Sequence, residues 1–212
     1  MTTKAPVTRP QHEIQELNLE FLDLLRRGGA PPPNFSLEAA VCQRIRCLTV
    51  AQVDTIAGTP CLLAGFTAIP PFAASRGVAE PLGAGLGTRP AETARMFAAG
   101  LMNYLWQTAR QDRLLAALCM GPWPVAIDRL AGAGFRDIQA SAAEAVDYLE
   151  ARFCRHPRLW PDLVRAATAG NAELLAATRL SVVQLTLVAR PPDGDNGAPG
   201  GRRWAGGHSR AR

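Results

Sequence analysis

The central part of the chain carries a cluster of cationic side chains whose chemistry suits phosphate binding. Over fourteen positions it contains four arginines: Arg152, Arg155, Arg158 and Arg165. Guanidinium groups form paired hydrogen bonds with phosphate oxygens, so the cluster predicts a surface that contacts a nucleic-acid backbone. A second interpretation is also open, in which the arginines form a solvated helix face and Trp160 anchors that helix in the core.

Residues that could support catalysis or hold a metal are few. His156 lies two positions from Cys154, but a nucleophilic pair needs geometry that sequence neighbours rarely have, and a solvated His beside a half-buried Cys is the simpler interpretation. The glycine-rich segment 83–88 lacks the preceding strand and the closing Lys-Ser/Thr of a phosphate-binding loop. The five cysteines are an odd number with no CxxC pair, and neither a zinc ribbon nor a disulfide framework fits that spacing. We therefore expect a non-enzymatic cytoplasmic protein without a metal or cofactor, whose cysteines are reduced.

The positive charge of the chain lies mostly at its ends. The net charge is +5, but residues 12–189 carry sixteen basic and sixteen acidic side chains. A neutral body gives no long-range attraction to DNA, so we expect the chain to bind DNA weakly or only through a partner. The uncharged segment 55–75 contains three prolines and four hydroxyl side chains, which favours a location outside the membrane.

Apolar residues recur at spacings of three and four along the chain, which predicts helices throughout. No convincing period-two strand pattern occurs, so the sequence predicts an all-α fold. Capping patterns place helix starts at Thr49 and Ser141, Ser36 and Asn171 are further candidate caps, and one long helix is predicted over 91–119.

Composition divides the chain into five segments. Glycine, proline and alanine dominate a predicted linker, and the last segment is basic and disordered by composition. The predicted segments are a polar tail at 1–11, helices at 12–66, the linker at 67–90, helices at 91–189 and the C-terminal tail at 190–212.

The two helical segments show a weak internal similarity. With an offset of 87, Gln52, Leu62, Ala64 and Phe66 align with Gln139, Leu149, Ala151 and Phe153, and with an offset of 83, Phe21-Leu22 aligns with Tyr104-Leu105. A tandem duplication would give two small helical subdomains packed as a pseudo-dimer. Chance matches in an Ala- and Leu-rich chain are the alternative.

The segment from Tyr104 to Gly121 resembles the first long helix of the FlhD family of flagellar transcriptional regulator subunits. The family pattern has a Tyr-Leu pair, then Asp-Lys/Arg, an Ala and a final Gly, and later a Gln and an L-x-x-x-F ending. The first helical segment is similar to the same family at its I-x-x-L-N-L-x-F-L, L-T-x-x-Q and L-x-x-x-F steps. The matching positions are Asn18, Phe21, Leu22, Thr49, Gln52, Phe66, Tyr104, Leu105, Asp112, Arg113, Gly121, Gln139 and Phe153.

This resemblance implies a non-enzymatic transcription regulator that acts with a zinc-bearing FlhC-like partner at flagellar promoters, and it allows a homo-oligomer. The sequence departs from the family at two places. Leu118-Cys119 replaces a Phe-Arg pair, and the cysteine that joins two subunits in the family would fall at Ala64 and Ala151. The alternative function is a helical adaptor or secretion-chaperone-like module that binds proteins and never contacts DNA.

Overall fold

The computed structural model describes residues 8–27, 35–69 and 89–188. These residues are predominantly helical, which confirms the all-α prediction. A 3-10 turn at Ala145–Tyr148 precedes the second of two short strands. The elements in chain order are α1 (Arg9–Arg26), α2 (Ala39–Arg46), α3 (Val50–Ala57), β1 (Ala64–Phe66), α4 (Arg89–Gln111), α5 (Arg113–Met120), α6 (Pro124–Gly132), α7 (Phe135–Glu144), β2 (Leu149–Ala151), α8 (Leu159–Ala169) and α9 (Ala172–Val188).

Two helix starts follow the capping chemistry in the sequence. At α3 the backbone N–H of Gln52 donates to Thr49 Oγ1 at 3.3 Å, and the Thr49 N–H donates to Gln52 Oε1 at 2.9 Å. At α9 the N–H of Leu174 donates to Asn171 Oδ1 at 3.0 Å. Each cap satisfies amide groups that the first helical turn leaves without a partner, and both predicted starts are confirmed.

Two other predicted helix starts are wrong. Ser141 is buried inside α7, which begins at Phe135, where the Gly134 N–H donates to Asp137 Oδ2 at 3.1 Å. Ser36 has a positive φ of 52°, and α2 begins three residues after it. Near Ser141 a hydrogen bond at Gly134 caps the helix instead. At Ser36 a positive φ replaces the backbone conformation that the capping pattern indicated.

The long helix predicted over 91–119 is interrupted at Asp112. This residue has extended backbone angles, φ −146° and ψ 102°, and its Oδ1 accepts from the N–H groups of Leu114 and Leu115 at 2.9 and 3.0 Å. A short carboxylate can thus end one helix and cap the next, because it binds amide groups that the helix would otherwise use. α4 therefore ends at Gln111 and α5 begins at Arg113.

A two-stranded antiparallel ribbon joins the two helical segments, so the expectation of no strand is wrong at this place. Its register pairs Ala64 with Ala151, Gly65 with Glu150 and Phe66 with Leu149. The residues just outside these pairs continue the ladder, with backbone bonds of 2.8 Å on each side. Strands of three residues are too short to produce a readable alternating pattern.

The ribbon register coincides with the internal similarity of the sequence. Ala64 lies opposite Ala151, and these are the residues that the offset of 87 aligns with each other. Phe66 lies opposite Leu149 in the ribbon. With the offset of 87, Phe66 aligns with Phe153, and Leu149 aligns with Leu62. The Ala64–Ala151 pair alternates with the hydrogen-bonded pairs on either side of it, so its side chains are close to each other.

One hydrophobic core spans the two helical segments. Phe21 of α1 lies at its centre, with ring centroids 5.5 Å from Phe35, 5.8 Å from Phe97 and 6.3 Å from Trp160. The segments predicted at 12–66 and 91–189 therefore share their buried surface. Most of the predicted linker, residues 70–88, and the tails at 1–7 and 189–212 lie outside the described residues.

Asn18 fixes the chain between α3 and β1. Its side chain is fully buried, and Nδ2 lies within hydrogen-bonding distance of the carbonyl oxygens of Ala57, Thr59 and Cys61 at 3.1, 3.3 and 3.0 Å. Its Oδ1 accepts from the Leu63 N–H at 2.8 Å. One amide therefore satisfies several buried backbone groups and holds the approach to β1 in place.

Candidate nucleic-acid interface

The chain between β2 and α8 turns sharply and brings cationic side chains to the surface. Phe153 has a positive φ of 60°, and backbone bonds run from the Cys154 N–H to Ala151 O at 3.2 Å and from the His156 N–H to Phe153 O at 2.9 Å. Residues 155–158 are all exposed. The turn therefore presents Arg155, His156 and Arg158 to solvent as one group.

Trp160 anchors this group to the protein. Its side chain is only 1% exposed, its ring contacts Phe21, and its Nε1 donates to the Arg152 carbonyl oxygen at 2.8 Å. The interpretation of Trp160 as a core residue is confirmed. Because its indole binds the backbone at the start of the turn, the position of the exposed arginines is coupled to the core.

Arg152 lies inside the protein, which corrects its prediction as a phosphate contact. Its Nη1 donates to the carbonyl oxygens of Leu62 and Leu118 at 3.2 Å each, and its guanidinium lies 4.8 Å from the centroid of the Phe153 ring. A Cβ placed on Gly65 would lie only 2.7 Å from Arg152 Cγ, so the side chain fills the space beside β1. Arg152 joins β1 to the end of α5.

The surroundings of Arg152 are closed to solvent. Burial lowers the pKa of its guanidinium, and two buried thiols, Cys61 and Cys119, lie near it. Burial raises the pKa of Cys119 to about 12 and also raises the pKa of the neighbouring Tyr104 hydroxyl. The Cys119 thiol therefore stays protonated at neutral pH and is a poor nucleophile, so this cluster contributes to packing.

Three arginines of the predicted cluster remain at the surface. Arg158 is the N-cap residue of α8 and lies seven positions before Arg165, so the two share one side of the helix roughly 10 Å apart. Arg165 is 59% exposed and pairs with Asp162 at 2.8 Å, but a guanidinium keeps further N–H donors for another acceptor. With Arg155 in the preceding turn, these residues form the α8 basic surface.

The Cys154–His156 neighbours do not form a nucleophilic pair. The Cys154 thiol lies 3.8 Å from Glu150 Oε2, whereas His156 is exposed. Burial raises the pKa of Cys154, and the Glu150 carboxylate raises it further. A reactive cysteine needs the opposite environment, since the thiolate is the nucleophile. Within the described ranges no group of three or more His, Cys, Asp or Glu side chains could hold a metal ion.

The residues shared with the FlhD pattern around the end of α4 shape turns. Asp112 caps α5, and the Arg113 guanidinium pairs with Asp128 of α6. Gly121 ends α5 with a positive φ of 102°, and a Cβ there would lie 3.1 Å from the Trp123 ring. A side chain at Gly121 would be both strained and crowded, so the glycine is required by the fold.

The other shared positions serve mainly the core. Phe21, Leu22 and Leu105 are buried, Thr49 and Gln52 form the α3 cap, and Asn18 binds buried backbone groups. Phe66 and Phe153 are half-buried beside the ribbon, Tyr104 is half-buried near Cys119, and Gln139 is exposed on α7. The resemblance therefore concerns residues that determine a fold, and the α8 basic surface lies outside it.

One surface feature was missed by the sequence reasoning. The outward side of α9 carries large apolar residues, among them Leu180 and Leu187, although these were assigned no role beyond helix formation. A signal was present in the sequence, because residues 174–188 contain one charged side chain, Arg179, and are otherwise apolar or uncharged.

Comparisons of this chain with protein-family models, with curated proteins and with solved structures found no match. Within the part of the chain that the structure describes, no single helix is long and apolar enough to cross a membrane. α5 and α6 together pass that test of length and composition, but they are bent by 117° relative to each other.

Proposed function

We propose that this protein is a non-enzymatic transcription regulator, similar to FlhD, that acts with an FlhC-like partner at flagellar promoters. The observation that carries the proposal is the ribbon register, which places Ala64 opposite Ala151. These are the positions at which the resemblance puts the contact between two FlhD subunits. A single chain that contains two divergent copies would bring the same two positions together.

The pseudo-dimer is supported by the symmetry of the pairing. When two equivalent segments pair about a two-fold axis, each residue on the axis meets its own counterpart, and the residues on either side exchange partners. Ala64 meets Ala151 in the ribbon, as residues on such an axis do. The four identities with an offset of 87 are weak support for a duplication when taken alone. The ribbon register supports the same offset, because it pairs two residues that this offset aligns.

The α8 basic surface supports a role in positioning DNA. Arg155, Arg158 and Arg165 could contact about three phosphates, and a salt slope of about −2.7 then follows. Such contacts fix orientation but do not read bases. The chain alone would therefore bind DNA weakly, and the partner would supply the base contacts that determine which promoter is bound.

The adaptor function is the second candidate, and the outward apolar side of α9 favours it. Leu180 and Leu187 are each 59% exposed, and exposed apolar side chains along one helix are typical of protein-binding surfaces. An adaptor would use this surface and leave the α8 basic surface unused. A DNA-binding measurement with the partner present separates the two functions.

The experiment is co-expression with the FlhC-like subunit of the same organism, followed by purification and gel-shift assays on a flagellar promoter fragment. The proposal predicts a stable complex that shifts the fragment, and a much weaker shift by this chain alone. A random fragment of the same length is the control for specificity. A stable complex that never shifts the promoter, or no complex at all, would refute the regulator function and leave the adaptor function.

A further inference from the structure

A cleft lies where the first turns of α1, the end of α3 and the middle of α9 meet. Its volume is about 450 Å³, and its lining includes Gln15 of α1, Asp54 of α3, Gly58 just after α3 and Arg179 of α9. Sites for small molecules commonly have volumes of about 300–1,000 Å³. The cleft is therefore large enough to hold a small molecule between three helices.

Arg179 brings a positive charge to this cleft that the protein compensates only in part. Its Nη2 donates to the Thr55 carbonyl oxygen near the end of α3, and its Nε is buried without a hydrogen-bond partner among the described residues. Burial lowers the pKa of the guanidinium, and no carboxylate in the described part of the chain offsets that shift. The C-terminal end of a helix carries roughly half a negative charge, which leaves part of the arginine charge unbalanced. The guanidinium thus has both charge and hydrogen-bonding capacity left for an anion.

Gly58 makes room for this guanidinium. A Cβ at position 58 would lie 2.8 Å from Arg179 Nη2, which is too close for two atoms that are not bonded. The backbone of Gly58 has φ −68°, an angle that any residue adopts, so the turn itself does not require glycine. The missing side chain is therefore explained by the close approach of Arg179.

The wall of the cleft after α3 is held in place by buried hydrogen bonds. Asn18 Nδ2 binds the carbonyl oxygens of Ala57 and Thr59 at 3.1 and 3.3 Å, and Thr59 Oγ1 donates to the Ile56 carbonyl oxygen at 2.6 Å. A site that is already ordered loses little conformational entropy when a ligand enters. The cleft is therefore formed before any ligand binds.

We infer that this cleft binds a small molecule with a single carboxylate group, whose oxygen atoms accept hydrogen bonds from Arg179. The planar guanidinium matches the geometry of a carboxylate. Asp54 is exposed in the same cleft, so it disfavours ligands with a second negative charge, such as phosphate. This binding site goes beyond the proposed function and does not rest on it.

The glutamines of α1 determine which further groups the ligand carries. Gln11 and Gln15 both line the cleft, and Gln15 is half-buried. Gln11 Oε1 accepts from the Thr8 N–H at 3.1 Å, which leaves its amino group to donate, and the carboxamide of Gln15 offers both a donor and an acceptor. The ligand should therefore carry amide or hydroxyl groups beside its carboxylate.

The test is an NMR titration of the isotope-labelled full chain, without DNA or partner, with sodium acetate as the first probe. We expect saturable shifts of the Gly58 and Thr59 amide signals and of the Arg179 Nε–H signal, with a dissociation constant on the order of 10–100 mM. N-Acetylglycine carries the same carboxylate and an amide group, so it should bind at least about threefold more tightly than acetate. Sodium chloride at equal ionic strength is the reference for general salt effects.

Two variants of the cleft test the role of the guanidinium. Arg179→Gln removes the charge and should raise the dissociation constant for acetate at least about tenfold. Gly58→Ala keeps the charge but crowds Nη2, and it should weaken acetate binding at least about threefold, read at the Thr59 amide. Arg44→Gln is the matched control, because it removes the same charge from an exposed position of α2, and it should leave binding unchanged. Circular dichroism confirms that each variant is folded, and Gly58→Ala keeps the test informative if Arg179→Gln unfolds.

Saturable shifts that Arg179→Gln or Gly58→Ala weakens, together with tighter binding of N-acetylglycine, support the inference. It would be overturned if neither carboxylate produced saturable shifts beyond those of sodium chloride, or if the shifts were the same in both cleft variants. Equal affinity for acetate and N-acetylglycine would also overturn it, and would point to an acidic side chain of a partner protein in place of a small molecule. Because DNA and the FlhC-like partner are absent, failure of this inference and failure of the proposed function are separate results.

Discussion

An engineered disulfide between positions 64 and 151 would test the ribbon register that supports the pseudo-dimer. Ala64 and Ala151 are both buried and face each other between hydrogen-bonded pairs of an antiparallel ladder. Cα atoms in such pairs are about 4.5 Å apart, within the range of about 4.4–6.8 Å that a disulfide spans. We predict that Ala64→Cys with Ala151→Cys forms this bond readily in air.

The expected stabilisation can be worked from the chain length between the two positions, which are 87 residues apart. The loop-closure model gives about 4.6 kcal/mol at 25 °C for a loop of that size. Both forms carry the two added sulfur atoms, so the packing cost of these atoms cancels in the comparison. Because engineered disulfides often deliver less than the loop model gives, the oxidised protein should be more stable than its reduced form by about 2–4 kcal/mol.

The assay compares urea unfolding of the double variant with and without reductant, with peptide mass mapping to identify the bond. Cys47→Ser serves as background, because Cys47 is an exposed free thiol. Ala64→Cys with Glu150→Cys is the control, since neighbouring strand positions point to opposite faces. No bond in the test pair, or equally fast bond formation in the control, would refute the register.

Three further predictions concern buried groups. Arg152→Met should lower the free energy of urea unfolding by about 1–3 kcal/mol, because two buried carbonyl groups lose their donor, and it should leave the DNA affinity of the folded complex unchanged. Asn18→Leu should lower the free energy of urea unfolding by at least about 3 kcal/mol, since several buried backbone groups lose their hydrogen-bond partners. A loss below about 1 kcal/mol would contradict that reasoning. At pH 8 a thiol reagent should modify Cys47 rapidly and Cys119 only after unfolding, because burial raises the pKa of Cys119 to about 12. Since the unfolded thiol ionises near 9, this residue's contribution to stability falls as the pH rises above about 9 and is lost towards 12.

Local chemistry made much of the helical fold predictable from the sequence. The α3 and α9 caps use hydrogen bonds that span three positions, and such bonds are visible in a short window of residues. The break at Asp112 is equally local, but the same Asp could have been an exposed helix residue, so the sequence did not decide between the two. The ribbon could not be predicted in this way, because Asn18 and Arg152 hold its strands from distant parts of the chain.

The candidate site, too, could be predicted only in part from the sequence. Arg152 and Arg155 are three positions apart and look equivalent in the sequence, yet one is buried and the other is exposed. The strand β2 and the left-handed Phe153 between them cause this difference, and neither was predicted. The composition of a cluster indicates its chemistry, but the backbone decides which members reach solvent.

The salt dependence of promoter binding by the complex with the FlhC-like partner tests the central claim most directly. Arg155→Glu with Arg158→Glu should weaken binding about equally on all DNA sequences and reduce the salt slope by about 2. Arg95→Glu with Arg136→Glu makes the same charge change at exposed positions of α4 and α7 and should leave the slope unchanged. An unchanged slope in the α8 variant, with the complex intact, or tight sequence-specific binding by this chain alone, would contradict the account.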